Sequence, residues 1–218
     1  MTRISATPTP PSTSLPTPAP PVDGRVARAH RTVDQVLTAF LEIVEDDGQL
    51  RPTADQVSRR AGVSRRALYL HFDSLEDVFT AAAERRTRRV TAAWEPPPPD
   101  LCLAERVDWF CDRWPPLLEE FMPLGRAATV HEPFCPQIGE ALDQARRWGR
   151  KVAEQAFAPE LDQRPAAERE ALATALHHVT SWSAWSDLRS QGTAPESMRE
   201  AMHRMLTVLL TPPPGVAA

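Results

Sequence analysis

Residues 49–78, QLRPTADQVSRRAGVSRRALYLHFDSLEDV, leave this chain little local choice. Gly62 stands where the backbone must turn left-handed, a conformation that only Gly adopts without steric cost. Ser64 caps the next helix, its hydroxyl taking a free backbone N–H. Thr53 caps the segment before the turn, and Gln56 three residues on completes a capping-box pattern. The spacing predicts two short helices, about 53–60 and 65–71, joined by the tight turn Arg60-Ala61-Gly62-Val63-Ser64. Ala61, Val63, Leu68 and Phe72 are the apolar residues left to hold the pair together.

Two short helices around such a turn form a helix-turn-helix, in which the second helix enters a DNA major groove while the first crosses the backbone. The second helix suits that task. Arg65 and Arg66 fall in its first turn, and an Arg fork matches the O6 and N7 acceptors of guanine. Ser64, Tyr69 and His71 can donate to phosphate oxygens, and Thr53 at the start of the first helix is expected to help position the phosphate backbone.

The string A-G-V-S-x-x-x-L-Y-x-H-F-x-S-x-E is carried by Ala61-Gly62-Val63-Ser64, Leu68-Tyr69, His71-Phe72, Ser74 and Glu76. It resembles the N-terminal domain of the TetR family of transcriptional regulators, from Arg31 to about Thr91. That resemblance implies an all-α homodimer with a three-helix DNA-binding head and a helical-bundle body that binds an effector and dimerises. The family often has Lys or Arg, then Gly, then Thr or Ser after the capping Ser. Here Arg65, Arg66 and Ala67 stand there, which suggests a base preference of its own, with Ala67 packed on a thymine methyl. Leu75 replaces the usual Lys at the start of the fourth helix, removing one phosphate contact per half-site and flattening the salt dependence slightly.

Net charge is −4, which by itself disfavours a nucleic-acid partner. Its distribution does not: residues 25–90 hold 12 Arg against 10 acids, and residues 91–218 hold 12 basic against 18 acidic residues. The basic balance therefore lies on the expected head. Residues 1–23 form a Pro/Ser/Thr-rich tail with almost no large apolar side chain, expected to be disordered. No apolar core of signal-peptide length follows Arg3, and no stretch is apolar enough to span a membrane. A cytoplasmic protein with no membrane partner is expected.

The head is expected over 24–94 and the body over 100–212, parted by the four prolines at 96–99. Val33, Val36, Leu37, Phe40, Leu41 and Val44 mark one face of a helix from Gly24 to about Asp46. Arg25, Arg28 and Arg31 at its start either reach the DNA backbone or form a solvated helix end. The next helix, roughly 75–94, ends in Arg85, Arg86, Arg88 and Arg89, expected as surface ion pairs. In the body, Pro115-Pro116 are expected to end a helix begun near Leu103, and Pro123 to cut a second short one. The stretch 123–136 reads as irregular, 159–165 as a loop, and 165–191 as one long helix. That helix and the last, 194–212, are the expected homodimer interface.

Candidates for an effector cavity are the aromatic residues Trp109, Phe110, Trp114, Phe121, Trp148 and Trp182, with His131, His177 and His178 as polar contacts. Phe134 and Trp185 belong to the same aromatic set. Each also reads as plain core. Cys102, Cys111 and Cys135 are expected as free thiols, and the His131-Glu132-Cys135 cluster resembles no strong zinc pattern. No metal or cofactor is expected. No P-loop, G-x-S-x-G, G-x-G-x-x-G or H-E-x-x-H is present, so the chain carries no such enzyme signature. The sequence thus points to a DNA-binding regulator, with double-stranded DNA at a palindromic operator and a small-molecule effector as partners. The alternative is a helical protein-interaction module, or a regulator that has lost its DNA or effector response.

Overall fold

The structure, a computed structural model, describes residues 24–211, all of it helices and connections with no strand among them. The tail expected at 1–23 lies outside the described residues, as does the side chain of Arg25.

Helix α1 (Gly24–Glu45) buries Val36, Leu37, Phe40, Ile43 and Val44 on the face its periodicity predicts. Helices α2 (Ala54–Ala61) and α3 (Arg65–Leu68) pack across its end, and α4 (Leu75–Ala93) runs back along it. Phe40 meets Phe79 edge-on at 5.4 Å, tying α1 to α4. Ser74 and Asp77 close a capping box at the start of α4. Leu75, in the place of a basic residue, is half-buried against the same apolar cluster.

The body departs from expectation at its prolines. Helix α5 runs unbroken from Leu103 to His131, with Pro115, Pro116 and Pro123 inside it. An interior proline costs about 3 kcal/mol. Past Pro116, α5 buries Leu117, Leu118, Met122 and Leu124, each worth roughly 1.5–3 kcal/mol. Burial therefore carries the helix through the prolines, and no irregular stretch exists until Glu132. Helix α6 (Pro136–Ala156) follows, then α7 (Ala158–Asp162) where a loop was expected. Leu161, wholly buried, explains why that short helix forms.

The expected helix over 165–191 is also broken. Helix α8 (Ala166–Thr180) stops at Ser181, whose backbone is extended at φ −72° and ψ 148°, and α9 (Trp182–Ser190) starts anew. The Ser181 hydroxyl accepts from the Ala184 N–H, capping α9. The Thr180 carbonyl accepts a 2.7 Å bond from Trp114 Nε1, so a buried indole takes up the broken end. Helix α10 (Pro195–Leu210) then packs beside α8. The two long terminal helices are thus α8 and α10, with α9 between them.

Apolar packing does not stop at the proline run 96–99. One cluster unites α1–α4 with Leu124, Ala127 and Ala128 of α5 and Ile138 and Leu142 of α6. Trp94, just before the prolines, is wedged among Trp109, Phe110 and Trp114 at 5.6, 5.6 and 5.3 Å. Of the arginine run in α4, Arg88 and Arg89 make the expected surface pairs with Glu84 and Glu120. Arg86 does not: it is only 8% exposed and bridges Glu45 of α1 to Glu120 of α5.

Candidate nucleic-acid interface and effector cavity

The helix-turn-helix is built by its caps. Thr53 Oγ1 accepts from the Gln56 N–H at 3.3 Å, and Gln56 Oε1 accepts from the Thr53 N–H at 2.8 Å. Gly62 takes φ +67° at the end of α2, and its N–H bonds back to the Arg59 carbonyl. Ser64 Oγ accepts from the Ala67 N–H at 3.1 Å and starts α3. Bonds from Leu70 N to the Arg66 carbonyl and from Phe72 N to the Leu68 carbonyl continue the helical turn past Leu68. Leu68 is fully buried and Phe72 nearly so, anchoring the segment to α1 and α4.

This anchoring exposes one face. Ser64, Arg65, Arg66, Tyr69 and His71 are all exposed, and Ala67 is half-buried between them. Arg65 lies 3.3 Å from Asp55 of α2, with both side chains more than half exposed. Such a pair is worth roughly 0–1 kcal/mol, so a phosphate or base can displace Asp55. Arg66 has no ion pair among the described residues. Thr53 differs from Ser64: its hydroxyl already donates to Gln56 Oε1 at 2.8 Å, so donating to a phosphate would give up that bond while both capping bonds to backbone N–H groups remain. Leu70, 72% exposed between Tyr69 and His71, is a residue of this face that the sequence pattern does not single out. Its spacing of two from buried Leu68 places it on the opposite side of the turn.

A second feature lies in the body. A partly open cavity of about 250 Å³ is lined by α4 (Thr87, Val90), α5 (Trp114, Leu117, Leu118, Phe121) and α6 (Ala145, Arg146, Trp148, Gly149). Thr174, His177, His178 and Thr180 of α8, with Ser181, Trp182 and Ser183, complete it. Trp114 faces Trp148 at 5.4 Å, and Phe121 faces Trp182 at 5.9 Å. Of the candidates named from sequence, Trp114, Phe121, Trp148, His178 and Trp182 stand on this wall, as does His177.

Four others do not. Phe110 is wholly buried in the core against Phe157 at 5.3 Å. Trp109 turns outward, with the Arg113 guanidinium 4.2 Å over its ring. His131 sits between head and body, its Nε2 3.0 Å from the Leu50 carbonyl and its ring 5.3 Å from Phe79. Phe134 is 76% exposed beneath Arg51. Phe134 lies in the turn between α5 and α6; the other three lie on helix faces that periodicity cannot tell from the cavity face, because only the packing of neighbours decides which face borders space. Cys135 donates to Gln137 and Glu132 pairs with Arg146, so the His131-Glu132-Cys135 cluster does not converge. Burial pushes the Cys111 thiol up to about 12, leaving it inert near neutral pH.

Arg146 was not foreseen on the wall. Its two terminal nitrogens hold both oxygens of Glu132 at 2.7 and 3.1 Å, and it also bonds Asp143 at 2.9 Å. The bond to Glu132 raises its pKa further. His177 is the reverse: burial, then Arg150 and His178, lower its pKa and hold it neutral, and its buried Nδ1 has no hydrogen-bond partner.

Gly125 of α5 supports the wall from behind. A Cβ there would fall 3.0 Å from Trp182 Cε3 and 2.9 Å from Phe121 Cε1. Gly125→Ala is expected to displace the Trp182 indole and cost about 1–3 kcal/mol by overpacking. Urea denaturation, with tryptophan fluorescence reporting the altered indole, checks it.

Comparisons agree with this architecture. Residues 38–82 match the family described as bacterial regulatory proteins, tetR family. The chain is 33% identical over 116 residues to the HTH-type transcriptional regulator SrpR of Pseudomonas putida, covering 53% of this chain and 47% of that protein. The chain thus spans about half the length of SrpR. It is also 33% identical over 116 residues to the uncharacterized HTH-type transcriptional regulator TtgW, again of Pseudomonas putida, covering 75% of it. Its fold is similar to that of a transcriptional regulator from Rhodococcus sp. Rha1, with a TM-score of 0.64 at 18% identity over 84% of this chain and 95% of that one. A helix-turn-helix held by three caps, on an all-helical body that shares its fold and sequence with such regulators, makes this chain a member of the tetR family of bacterial regulatory proteins.

Proposed function

We propose that the chain is a one-component, cytoplasmic transcriptional repressor that binds a palindromic operator as a homodimer and leaves it when a small, mostly apolar effector fills the cavity. The observation that carries this reading is the placing of α4. Its first turn comes directly after the exposed Arg65–His71 segment, and its Thr87 and Val90 form part of the cavity wall. A ligand that favours one α4 position changes the spacing of two heads, and so shifts DNA affinity by its differential affinity for the two states. No helix among the described residues is long and apolar enough to cross a membrane.

In this reading residues 24–94 are the DNA-binding head and 100–212 the effector-binding and dimerising body. Arg65 and Arg66 read bases; Ser64, Tyr69 and His71 position phosphates; Ala67 meets a thymine methyl; and Thr53 acts through the cap. Helices α8 and α10 form the dimer face, supported by Met205 and Val208, 38% and 71% exposed on α10. A two-fold dimer places the two recognition segments about one helical turn of DNA apart, or a multiple of it.

Selection of bound sequences from a random duplex pool tests the reading. A palindromic consensus with whole-turn spacing supports it; no enrichment even at low salt sinks it and favours a protein-interaction module. On the selected operator, Arg66→Ala is expected to cost about 1–3 kcal/mol and to relax preference at one base pair per half-site. Equal weakening on all sequences would assign Arg66 to phosphate instead.

A further inference from the structure

We infer that Leu70 is a specificity-determining residue of the DNA interface, and that its side chain packs on the C5-methyl group of a thymine in each half-site. This rests on the reading of the Arg65–His71 segment as the part that enters the major groove. Leu70 is 72% exposed, the most of any large apolar residue described in the head, where Val26 and Tyr69 follow at 44% and 42%. A leucine gains roughly 1.5–3 kcal/mol from full burial, and Leu70 forgoes most of it in the free protein. Single exposed apolar side chains are common, so exposure alone decides nothing. Position does.

The Leu70 N–H bonds to the Arg66 carbonyl at 3.0 Å, so the segment is still helical there and Leu70 stands one turn after Arg66 on the same face. Ala67, three residues before Leu70 and half-buried, borders it on that face. Helical side chains lean toward the helix N-terminus, so Leu70 reaches back toward Arg66. The N-terminal residues of a recognition helix are those that meet base edges. Leu70 therefore extends the small apolar surface of Ala67 beside the exposed Arg66, on the side that faces the groove. It has no group that could bond a phosphate or a base. On the major-groove edges of unmodified base pairs the apolar group is the thymine C5-methyl, and that is the partner a leucine can recognise.

Removing that methyl group tests the inference. The operator selected from the random duplex pool is resynthesised with uracil for thymine, one symmetry-related pair of positions at a time, which deletes the methyl and keeps every hydrogen bond. Affinities of the full chain and of Leu70→Ala are measured by fluorescence anisotropy. One buried methyl is worth about fourfold, so uracil at the contacted position of both half-sites should weaken the wild-type chain about tenfold to twentyfold. Leu70→Ala should bind the thymine operator at least about tenfold more weakly and prefer thymine to uracil at that position by no more than about twofold. Preferences at other thymines, including the one assigned to Ala67, should persist. Because Leu70 is exposed, the urea midpoint of Leu70→Ala should match that of the wild type, which separates lost contact from lost fold. Weaker binding with the thymine preference intact would place Leu70 on the sugar–phosphate backbone and overturn the inference. Unchanged affinity, or an operator with no position sensitive to uracil, overturns it too. A pool that yields no operator defeats the DNA reading and this inference with it; an operator whose uracil sensitivity is indifferent to Leu70 defeats this inference alone.

Discussion

Arg86→Ala should lower the unfolding free energy by about 3 kcal/mol, because it strands the half-buried Glu45 carboxylate and leaves Glu120 with Arg89 alone. Arg86 is 8% exposed, and its terminal nitrogens reach Glu45 of α1 and Glu120 of α5. Glu45 and Glu120 are 28% and 22% exposed, so some water reaches them, and the lower part of the range for broken buried pairs applies. Urea denaturation of wild type, Arg86→Ala, and Arg86→Ala with Glu45→Gln and Glu120→Gln measures the effect. Neutralising the acids should restore part of the loss; no restoration would mean that Arg86 matters only through packing.

The same pair gives a pH signature. Burial raises the Glu45 pKa above 4.5, and Arg86 opposes that rise. Without Arg86 the folded-state value climbs further. Between 4.5 and that raised value the native state binds more protons than the unfolded chain, so stability falls as pH rises through the window. The Arg86→Ala penalty is therefore expected to be full above the raised Glu45 value and to shrink as pH drops through it toward 4.5. Glu120 precedes Phe121 of the cavity wall, and Arg86 precedes Thr87. The bridge thus joins the cavity to the end of α1, and its loss should also weaken the link between effector and DNA.

Trp114→Ala is expected to cost about 3–5 kcal/mol, as for other buried large-to-small changes. Trp114 is 3% exposed, packs on Trp94, Phe110 and Trp148, and bonds the carbonyl at which α8 breaks. Trp114→Phe keeps most of the ring and leaves the Thr180 carbonyl without its donor, for a loss of about 1–3 kcal/mol. Midpoints of urea denaturation for the two variants separate packing from hydrogen bonding. A Trp114→Ala loss under about 1 kcal/mol would mean that the wall collapses freely, and that the cavity is not a preformed site.

The helix-turn-helix was legible because everything that builds it is local. Thr53 and Gln56, Ser64 and Ala67, and Gly62 and Arg59 each interact within three residues, so residue type and spacing suffice to place them. The apolar stripe of α1 was legible for a similar reason, since a repeated face must find a core whatever that core is. The exposed side of α3 followed once Leu68 and Phe72 were assigned inward.

The body was less legible because its decisive interactions join residues far apart in the chain. Pro115 and Pro116 are local stop signals, yet α5 passes through them on the strength of apolar contacts with other helices. Ser181 caps α9 locally, but the broken end of α8 is taken up by Trp114, 66 residues from Thr180. Trp114 and Phe110 look alike in sequence, and only the arrangement of α4, α6, α8 and α9 puts one on the cavity and the other in solid core. Likewise Arg86 was one of four arginines until α1 and α5 closed over it. Caps, helix faces and the DNA-reading segment follow from residue order alone, because their interactions span a turn or less. Which helix persists through a proline, which aromatic ring meets empty space and which charge is buried were settled by tertiary packing, because burial is a property of neighbours that sequence distance does not encode.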